Sequence, residues 1–384
     1  MIVSRLILKN WRNFTHVDVE FGERVFFVGP NASGKSNLLD VFRFLRDIAK
    51  PGGGLQKAVE DRGGLSKIRC LAARRYPDVE IEVHLSETPE DKPIWTYAIG
   101  IKQEIRGYRQ PYLSYENVWH KDKEKLILTR PDPDDIKDKE RLTQTHLEQI
   151  NANMDFRAIS KFFETILYLH LIPQLLRNPE AFSGAGIPGD PFGRSFLERV
   201  ARTPEPTRKS RLKKIEEALK IAVPQLNELT DVKDERGVPH LEAVYKHWRS
   251  KGAKQREDQF SDGTLRLIGL LWSLLEGESP LLLEEPEISL NTAIVCKIPA
   301  LIFRIQRKKK RQIFISTHSF DMLSDKGVGG KEVVMLTPGE KGTTVEVAGS
   351  IKEVQRLLEG GMSVADAVLP LTAPPDASQL ALFK

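Results

Sequence analysis

The stretch Gly29-Pro-Asn-Ala-Ser-Gly-Lys35-Ser36 decides how this chain of 384 residues folds. It matches the glycine-rich pattern Gly-x-x-x-x-Gly-Lys-Ser/Thr, in which backbone N–H groups surround the phosphates of a nucleotide. Residues 25–28 before it are apolar, as in a buried parallel strand, and residues 36–48 after it carry apolar side chains at helical spacing. Strand, loop and helix in this order are the context that the pattern requires, so the sequence predicts a nucleotide site here.

Each part of this loop has an expected task. Lys35 is placed for the β and γ oxygens of ATP, Ser36 for a Mg²⁺ ion, and the dipole of the following helix attracts phosphate. The candidate ATP-binding residues in and after the loop are Gly29, Pro30, Asn31, Ala32, Ser33, Gly34, Lys35, Ser36 and Asn37. We therefore expect ATP and Mg²⁺ as cofactors.

A second apolar run, residues 281–283, ends in the acidic pair Glu284 and Glu285. A buried strand in this position would deliver two carboxylates to a metal and phosphate site. Glu284 would bind Mg²⁺ through water, and Glu285 would act as the general base that polarises the attacking water. On its own, an apolar run that ends in two acids could equally be a surface turn. The combination of this run with the glycine-rich loop favours an enzyme that hydrolyses ATP.

Two further segments are Phe260-Ser-Asp-Gly-Thr264, which opens a helical pattern, and Ile315-Ser-Thr-His318-Ser, which ends a strand pattern. The four elements in this order resemble the head domain of the ABC-type ATPases, in particular the branch of RecF, SMC and OLD proteins. The resemblance covers most of the chain. It implies an α/β P-loop fold with a mixed central sheet, an antiparallel β subdomain and an inserted helical subdomain.

The resemblance also implies roles for individual residues. The signature residues Ser261, Asp262, Gly263 and Thr264 would act in trans on the ATP of a second subunit, so the protein would be a homodimer. His318 would contact the γ-phosphate and belong with Glu285 and Lys35 to the catalytic residues. The signature residues could instead form an ordinary helix cap. His318 could instead have a purely structural role.

Three assignments rest on weaker patterns. Arg12 and Asn13 resemble the family's early segment and would line the nucleotide pocket, with a turn as the equal alternative. Gln144 or Gln149 would be a third metal ligand, although a solvent-facing helix residue is the simpler interpretation of each. Glu284 departs from the aspartate that most of the family has, which suggests slow turnover.

The predicted organisation has four parts. Residues 1–130 form the first half of the head, 131–258 a mainly helical insertion, 259–369 the second half, and 370–384 a flexible tail. Within the insertion we expect helices over 142–176 and 209–221, a strand over 241–248 and a long loop over 178–193. In the second half we expect one helix over 291–306.

Composition sets the broad class. The chain has 58 Lys and Arg against 53 Asp and Glu, with basic clusters at 208–214 and 307–311 that either bind nucleic acid or are solvated helix faces. The cysteines, Cys70 and Cys296, have no metal-type spacing. With no apolar run of roughly 18 residues, we expect a cytoplasmic protein without a membrane partner.

Two functions from different classes follow. The first is an ATP-gated dimeric switch, with the resemblance suggesting antiphage defence and a separate nuclease or toxin chain. The alternative is a RecF-like repair factor that closes on DNA when ATP binds. Several prolines interrupt residues 128–260, which argues against a long coiled coil, and the 66 residues after His318 contain no Asp-x-Asp pair of a nuclease. The residues of the signature segment and of the acidic segment resemble those of RecF and OLD proteins, which argues against a transporter ATPase.

Overall fold

The computed structural model describes residues 1–73, 78–104, 109–121, 126–178, 190, 192–246 and 252–373. The strands are β1 Ile2–Trp11, β2 Phe14–Glu20, β3 Arg24–Val28, β4 Val79–Ser86, β5 Trp95–Gln103, β6 Pro111–His120, β7 Leu128–Arg130, β8 Leu167–Leu169, β9 Leu226–Lys233, β10 Pro239–Tyr245, β11 Ala253–Arg256, β12 Leu281–Glu284, β13 Ile313–Ser316, β14 Val333–Thr337 and β15 Thr344–Val347.

The helices are α1 Lys35–Ala49, α2 Leu55–Glu60, α3 Leu65–Ile68, α4 Pro133–Lys137, α5 Arg157–Glu164, α6 Pro173–Arg177, α7 Phe196–Arg202, α8 Glu205–Ala222, α9 Asp262–Leu275, α10 Thr292–Val295, α11 Ile298–Lys309, α12 Phe320–Leu323, α13 Lys352–Glu359 and α14 Val364–Thr372.

A mixed central sheet of six strands combines both halves of the chain, in the order β15-β14-β3-β13-β12-β8. Its four pairings from β14 to β8 are parallel, and the edge strand β15 pairs antiparallel with β14. Because parallel strands end at the same edge, Val28, Glu284 and Ser316 come together there. The glycine-rich loop, the acidic pair and the histidine segment all start from this edge.

Aromatic packing joins the central sheet to α1. The ring of Phe314 on β13 lies 4.8 Å from that of Phe42 on α1 and 5.9 Å from that of Phe27 on β3. The other side of α1 packs against a second, antiparallel sheet in the order β2-β1-β4-β5-β6-β7. One apolar core therefore contains α1 and a face of each sheet, which holds the start of α1 rigidly beside the ends of the strands.

The predicted fold class is confirmed by this arrangement. The strand before the glycine-rich loop and the helix after it lie where the sequence predicts them, and the expected antiparallel β subdomain is present. Periodicity located these elements because each buries one face or is wholly buried.

The insertion is less helical than predicted. Residues 142–176 contain α5 and α6 but also β8, which joins the central sheet beside β12. Strands β9, β10 and β11 form a separate three-stranded sheet in the order β11-β10-β9. Short apolar runs do not distinguish a strand from a buried helix, which explains the error at β8. Most of the predicted loop over 178–193 lies outside the described residues, as do residues 374–384 of the predicted tail.

The helix predicted over 291–306 is divided into α10 and α11. Pro299 stands in the first turn of α11, where its missing N–H removes no hydrogen bond, whereas inside one continuous helix it would break the ladder. Before α10, residues 285–291 form a loop that follows β12 and borders the candidate site.

The segment that follows β7 folds around the buried side chain of Arg130. Arg130 is fully buried and forms ion pairs with Glu116 at 3.0 Å and Asp135 at 2.9 Å. Burial alone would raise the pKa of Asp135, but hydrogen bonds from Arg130, the Asp132 N–H and Arg141 hold it well below its usual range. Asp132 accepts from the N–H groups of the first turn of α4, so the sole Asp-x-Asp sequence is a helix cap.

Candidate functional site

The two glycines of the loop occupy positions that no other side chain fits. A Cβ on Gly29 would lie 2.5 Å from the carbonyl oxygen of Leu336, and one on Gly34 would lie 2.3 Å from the side chain of Asn13. Gly34 also has a φ of +99°, which strains any residue with a Cβ. The loop thus keeps the close turn that phosphate binding by backbone N–H groups requires.

Asn13, at the turn between β1 and β2, fastens this loop. Its Nδ2 donates to the Ser33 carbonyl at 2.8 Å and to Thr343 Oγ1 at 2.7 Å. Its Oδ1 accepts from Asn37 Nδ2 at 2.8 Å. Asn13 therefore acts on the nucleotide site by holding the loop, whereas the sequence placed it in the lining of the pocket.

Lys35 is buried at the first turn of α1. Its Nζ donates to the carbonyl oxygens of Gly29 at 3.0 Å and Pro30 at 3.2 Å. Burial lowers the pKa of Lys35, and the nearby carboxylates of Glu285, Glu284 and Glu287 oppose that shift. The charge of Lys35 is thus balanced by the acidic loop after β12.

Two hydroxyl groups bind the carboxylate of Glu284. Ser36 Oγ donates to Oε1, and the Tyr168 hydroxyl on β8 donates to Oε2. Burial raises the pKa of Tyr168, and the charge of Glu284 raises it further, so the phenol remains a donor near neutral pH. The sequence predicts Ser36 and Glu284 as Mg²⁺ ligands, and their oxygen atoms are of the hard kind that Mg²⁺ takes beside nucleotide phosphates.

Glu285 and His318 face each other across the ends of β12 and β13. His318 Nε2 lies 3.4 Å from Glu285 Oε1. Burial lowers the pKa of His318, as does the charge of Lys35, so the imidazole is neutral at pH 7. Glu285 has a φ of +42°, a strained conformation for a residue with a side chain, which turns it out of the strand direction.

Glu287 was not singled out from the sequence. Its Oε1 accepts from Thr317 Oγ1 and from the His318 N–H at 3.4 Å. Burial raises the pKa of Glu287 above its usual value. It connects the acidic loop to the segment that carries His318, and its place as the third glutamate of the Glu-Glu-Pro-Glu run was the available signal.

The signature segment begins α9 and contacts the loop after β12. Ser261 caps the helix, accepting from the Thr264 N–H at 3.2 Å. Asp262 pairs with Arg177 at 2.6 Å, and a Cβ on Gly263 would lie 2.6 Å from the Ser289 carbonyl oxygen. The segment therefore lies close to its own acidic loop at Gly263 and is paired with α6 at Asp262.

Arg12 lies beside the glycine-rich loop, whereas Gln144 and Gln149 contact each other. Arg12 donates to Asp40 at 3.2 Å and lines a cavity of about 430 Å³ that Ser36 and Asn37 also border. Gln149 Nε2 donates to Gln144 Oε1 at 3.2 Å. The glutamines thus bind each other, and the contact with Glu284 is made by Tyr168.

A family described as "AAA domain, putative AbiEii toxin, Type IV TA system" matches residues 24–325. The chain belongs to this family. The match begins at β3 and includes the glycine-rich loop, the signature, the acidic pair and His318.

This AAA-family chain is also similar to RecF proteins. It is 35% identical over 118 residues to the DNA replication and repair protein RecF of Shouchella clausii, covering 30% of this chain and 28% of that protein. The RecF of Synechocystis is 33% identical over 87 residues, covering 22% of this chain and 23% of the relative. The matches thus span less than a third of these relatives.

Two solved SMC heads have a similar fold. One, bound to the C-winged helix domain of ScpA, covers 90% of this chain and 98% of its own, with a TM-score of 0.56 and 14% identity. Another, with an extended coiled coil and derived from Pyrococcus furiosus, has a TM-score of 0.51 and 13% identity, covering 93% and 98%. The likeness to these structures shows that the AAA-family chain has the α/β fold of an SMC head.

Among the described residues, no helix is long and apolar enough to cross a membrane. Nor do they contain a cluster of three or more His, Cys, Asp or Glu side chains that could hold a metal ion.

Replacing Asn13 by Ala tests the loop-fastening role. The change removes three side-chain hydrogen bonds, each worth about 1 kcal/mol, so we expect ATP affinity to fall roughly 10-fold as the loop loosens. Equilibrium titration with a non-hydrolysable ATP analogue measures this. The control Asn227→Ala, in the three-stranded sheet, should leave the affinity unchanged. Equal affinities for all three proteins would contradict the role.

Proposed function

We propose that this chain is an ATP-hydrolysing switch that closes as a homodimer around ATP and controls a separate effector chain. The observation that carries the proposal is the convergence of Lys35, Glu284, Glu285 and His318 at the carboxyl ends of β3, β12 and β13. Hydrogen bonds and charges connect these side chains directly or through Ser36. This is the set of groups that phosphoryl transfer to water needs.

Binding would begin at the loop. Backbone N–H groups and the start of α1 would hold the phosphates, with Lys35 at the β and γ oxygens. Ser36 and Glu284 would hold Mg²⁺, which when bound supplies positive charge against the phosphate oxygens. Arg12 and Asn37, on the cavity beside Ser36, would border the nucleotide.

Hydrolysis would depend on Glu285 and His318. Glu285 would take the proton of the attacking water, and the neutral imidazole of His318, 3.4 Å away, would orient the water or the γ-phosphate. Glu287 would set the position of His318 through the backbone N–H. The strained φ of Glu285 supports a functional role, since such conformations persist where the surroundings enforce them.

The signature would act on a second chain. The helix start at Ser261 offers N–H groups and a hydroxyl to an anion, but Asp262 and Gly263 are held by Arg177 and the Ser289 backbone of their own chain. A two-fold dimer would bring this segment to the partner's ATP, and each site would then need both copies.

The defence role rests on the family description, which names a putative toxin of a type IV toxin–antitoxin system. By this proposal ATP-driven closure would control a nuclease or toxin supplied by another chain in the cytoplasm. A chain that protected cells from phage with no second protein present would contradict the effector part of the proposal.

Replacing Glu285 by Gln tests the catalytic assignment. The amide cannot accept the proton, so we expect hydrolysis to slow by roughly 10²- to 10⁴-fold while ATP binding persists. The trapped complex should elute as a dimer with ATP and Mg²⁺ in light-scattering chromatography. Glu278→Gln, an exposed change after α9, is the control. Unchanged phosphate release by the Glu285 variant would remove its assigned role.

Mixing two inactive variants tests the composite site. Ser261→Arg blocks the signature and Lys35→Ala disables the loop, so neither homodimer should hydrolyse ATP. In an equal mixture about half of the dimers would be mixed, each with one intact site, and we expect roughly a quarter of the unmodified rate. A mixture as inactive as its components would argue that each chain completes its own site.

A RecF-like role in binding DNA is the second candidate, favoured by the position of the basic clusters. Arg211 of α8 lies over the Trp272 ring at 5.2 Å, and Lys309 of α11 donates to the Leu275 carbonyl at 2.7 Å. Both clusters therefore pack on the end of α9 and form one basic surface. Part of it is structural, since buried Arg311 donates to the carbonyls of Ser273, Glu276 and Ser279.

Charge reversal of the exposed members tests this candidate. The variant carries Glu at Lys213, Lys214, Arg307 and Lys308, and the control carries Glu at Lys139 and Lys352. If the surface binds duplex DNA, affinity should fall and the slope of log K against log[salt] should shrink by about 0.9 per lost phosphate contact. Unchanged DNA affinity, measured with ATP present, would make the surface a solvated one.

A further inference from the structure

The carboxylate of Glu284 is held from two sides. Ser36 at the start of α1 donates to Oε1, and Tyr168 on β8 donates to Oε2. The three residues come from separate parts of the sequence, and Tyr168 lies 116 residues before Glu284. The contact depends on β8, the strand that sequence periodicity assigned to a helix.

Tyr168 is fixed in place by the sheet and by α1. It pairs with Leu282 of β12, so its ring lies on the same face as Glu284, two residues further on. A tyrosine side chain is long enough to reach this diagonal neighbour. The guanidinium of Arg43 covers the ring at 4.3 Å, and Tyr168 is 4% exposed. The hydroxyl therefore points to Glu284 from a rigid position.

This arrangement suits a glutamate better than an aspartate. Glu284 has one more rotatable bond than an aspartate would have, and ordering that bond costs free energy. A hydroxyl on Oε2 selects the side-chain conformation in which Oε1 meets Ser36. In metal sites, partners of this kind orient the ligands, and losing them typically weakens metal binding by about 10- to 100-fold.

We propose that Tyr168 is a positioning residue for Glu284, holding the longer carboxylate at Ser36 in the geometry that binds Mg²⁺ with ATP. The inference rests on the proposed ATP function and extends it to a residue outside the recognised motifs. It implies that Tyr168 and Glu284 act as a pair: a shorter acid at position 284 would lose contact with the phenol and would not depend on it.

The experiment compares Tyr168→Phe, Glu284→Asp and the double variant in the full chain. The readouts are the Mg²⁺ midpoint for binding a fluorescent ATP analogue and the Mn²⁺ affinity of the ATP complex by electron paramagnetic resonance. We expect Tyr168→Phe to raise the Mg²⁺ midpoint about 10-fold. The double variant should bind Mg²⁺ no more weakly than Glu284→Asp alone, because the pair is already broken.

Tyr97→Phe is the matched control. Tyr97 is fully buried on β5, and its hydroxyl donates to Glu116 at 3.0 Å, away from the nucleotide loop. The change removes the same atom from a similar tyrosine–carboxylate pair, so stability measured by urea unfolding should fall while the Mg²⁺ midpoint stays constant. If Tyr168→Phe acted only through lost packing, it would behave like this control, with lower stability and an unchanged Mg²⁺ midpoint.

The outcomes separate this inference from the proposed function. An unchanged Mg²⁺ midpoint for Tyr168→Phe, or additive effects in the double variant, would overturn the positioning role and leave the ATP switch standing. Failure of the unmodified chain to bind ATP with Mg²⁺ would overturn both. A raised midpoint with non-additive coupling to Glu284 would support the pair.

Discussion

The parallel pairing of β13 with β3 on one side and β12 on the other is the constraint on which the site depends. In this register Glu284 lies opposite Ser316, and Ser316 lies opposite Phe27, one residue before the end of β3. Side chains alternate between the faces of a sheet, so a slip of one residue would place Leu283 where Glu284 meets Ser36. The aromatic packing of Phe314 against α1 maintains this register.

Charge and backbone strain concentrate at the edge that this pairing creates. Lys35 is buried beside Glu284, Glu285 and Glu287, and the acidic groups outnumber it while His318 is neutral. Such a site favours a divalent cation together with a nucleotide. Of the nine described non-glycine residues with positive φ, five lie in segments around the site: Asn10, Arg12, Ala32, Glu285 and Ser289. Strain of this kind is retained where surrounding structure enforces it.

The sequence predicted the site best where chemistry and spacing coincide. The loop at Lys35, the acids Glu284 and Glu285, and His318 each belong to a short pattern beside a strand, and the structure brings them together, while their roles stay predictions. The fold class followed from the same patterns and is confirmed. The error at β8 arose because three residues are too few to show a period. It concealed Tyr168, since no local pattern connects a tyrosine with a glutamate so far along the chain.

The two basic clusters also show that the sequence does not reveal which side chains are buried or which segments meet. Sequence counted Arg311 with an exposed cluster, yet it is buried and holds carbonyl groups at the end of α9. The two clusters form one surface because α8 and α11 both pack on α9. The sequence alone does not show this, since the two helices are far apart along the chain.

By itself, the sequence determined the local chemistry: a loop whose glycines admit phosphate, a lysine and serine after it, two acids at the end of a strand, and a helix start with a serine cap. Only the tertiary structure decided which groups meet. Asn13 fastens the loop, Tyr168 holds Glu284, and Glu287 holds the segment of His318. The reason is physical: propensity and periodicity act over neighbouring residues, whereas these contacts arise from strand register and helix packing across distant parts of the chain.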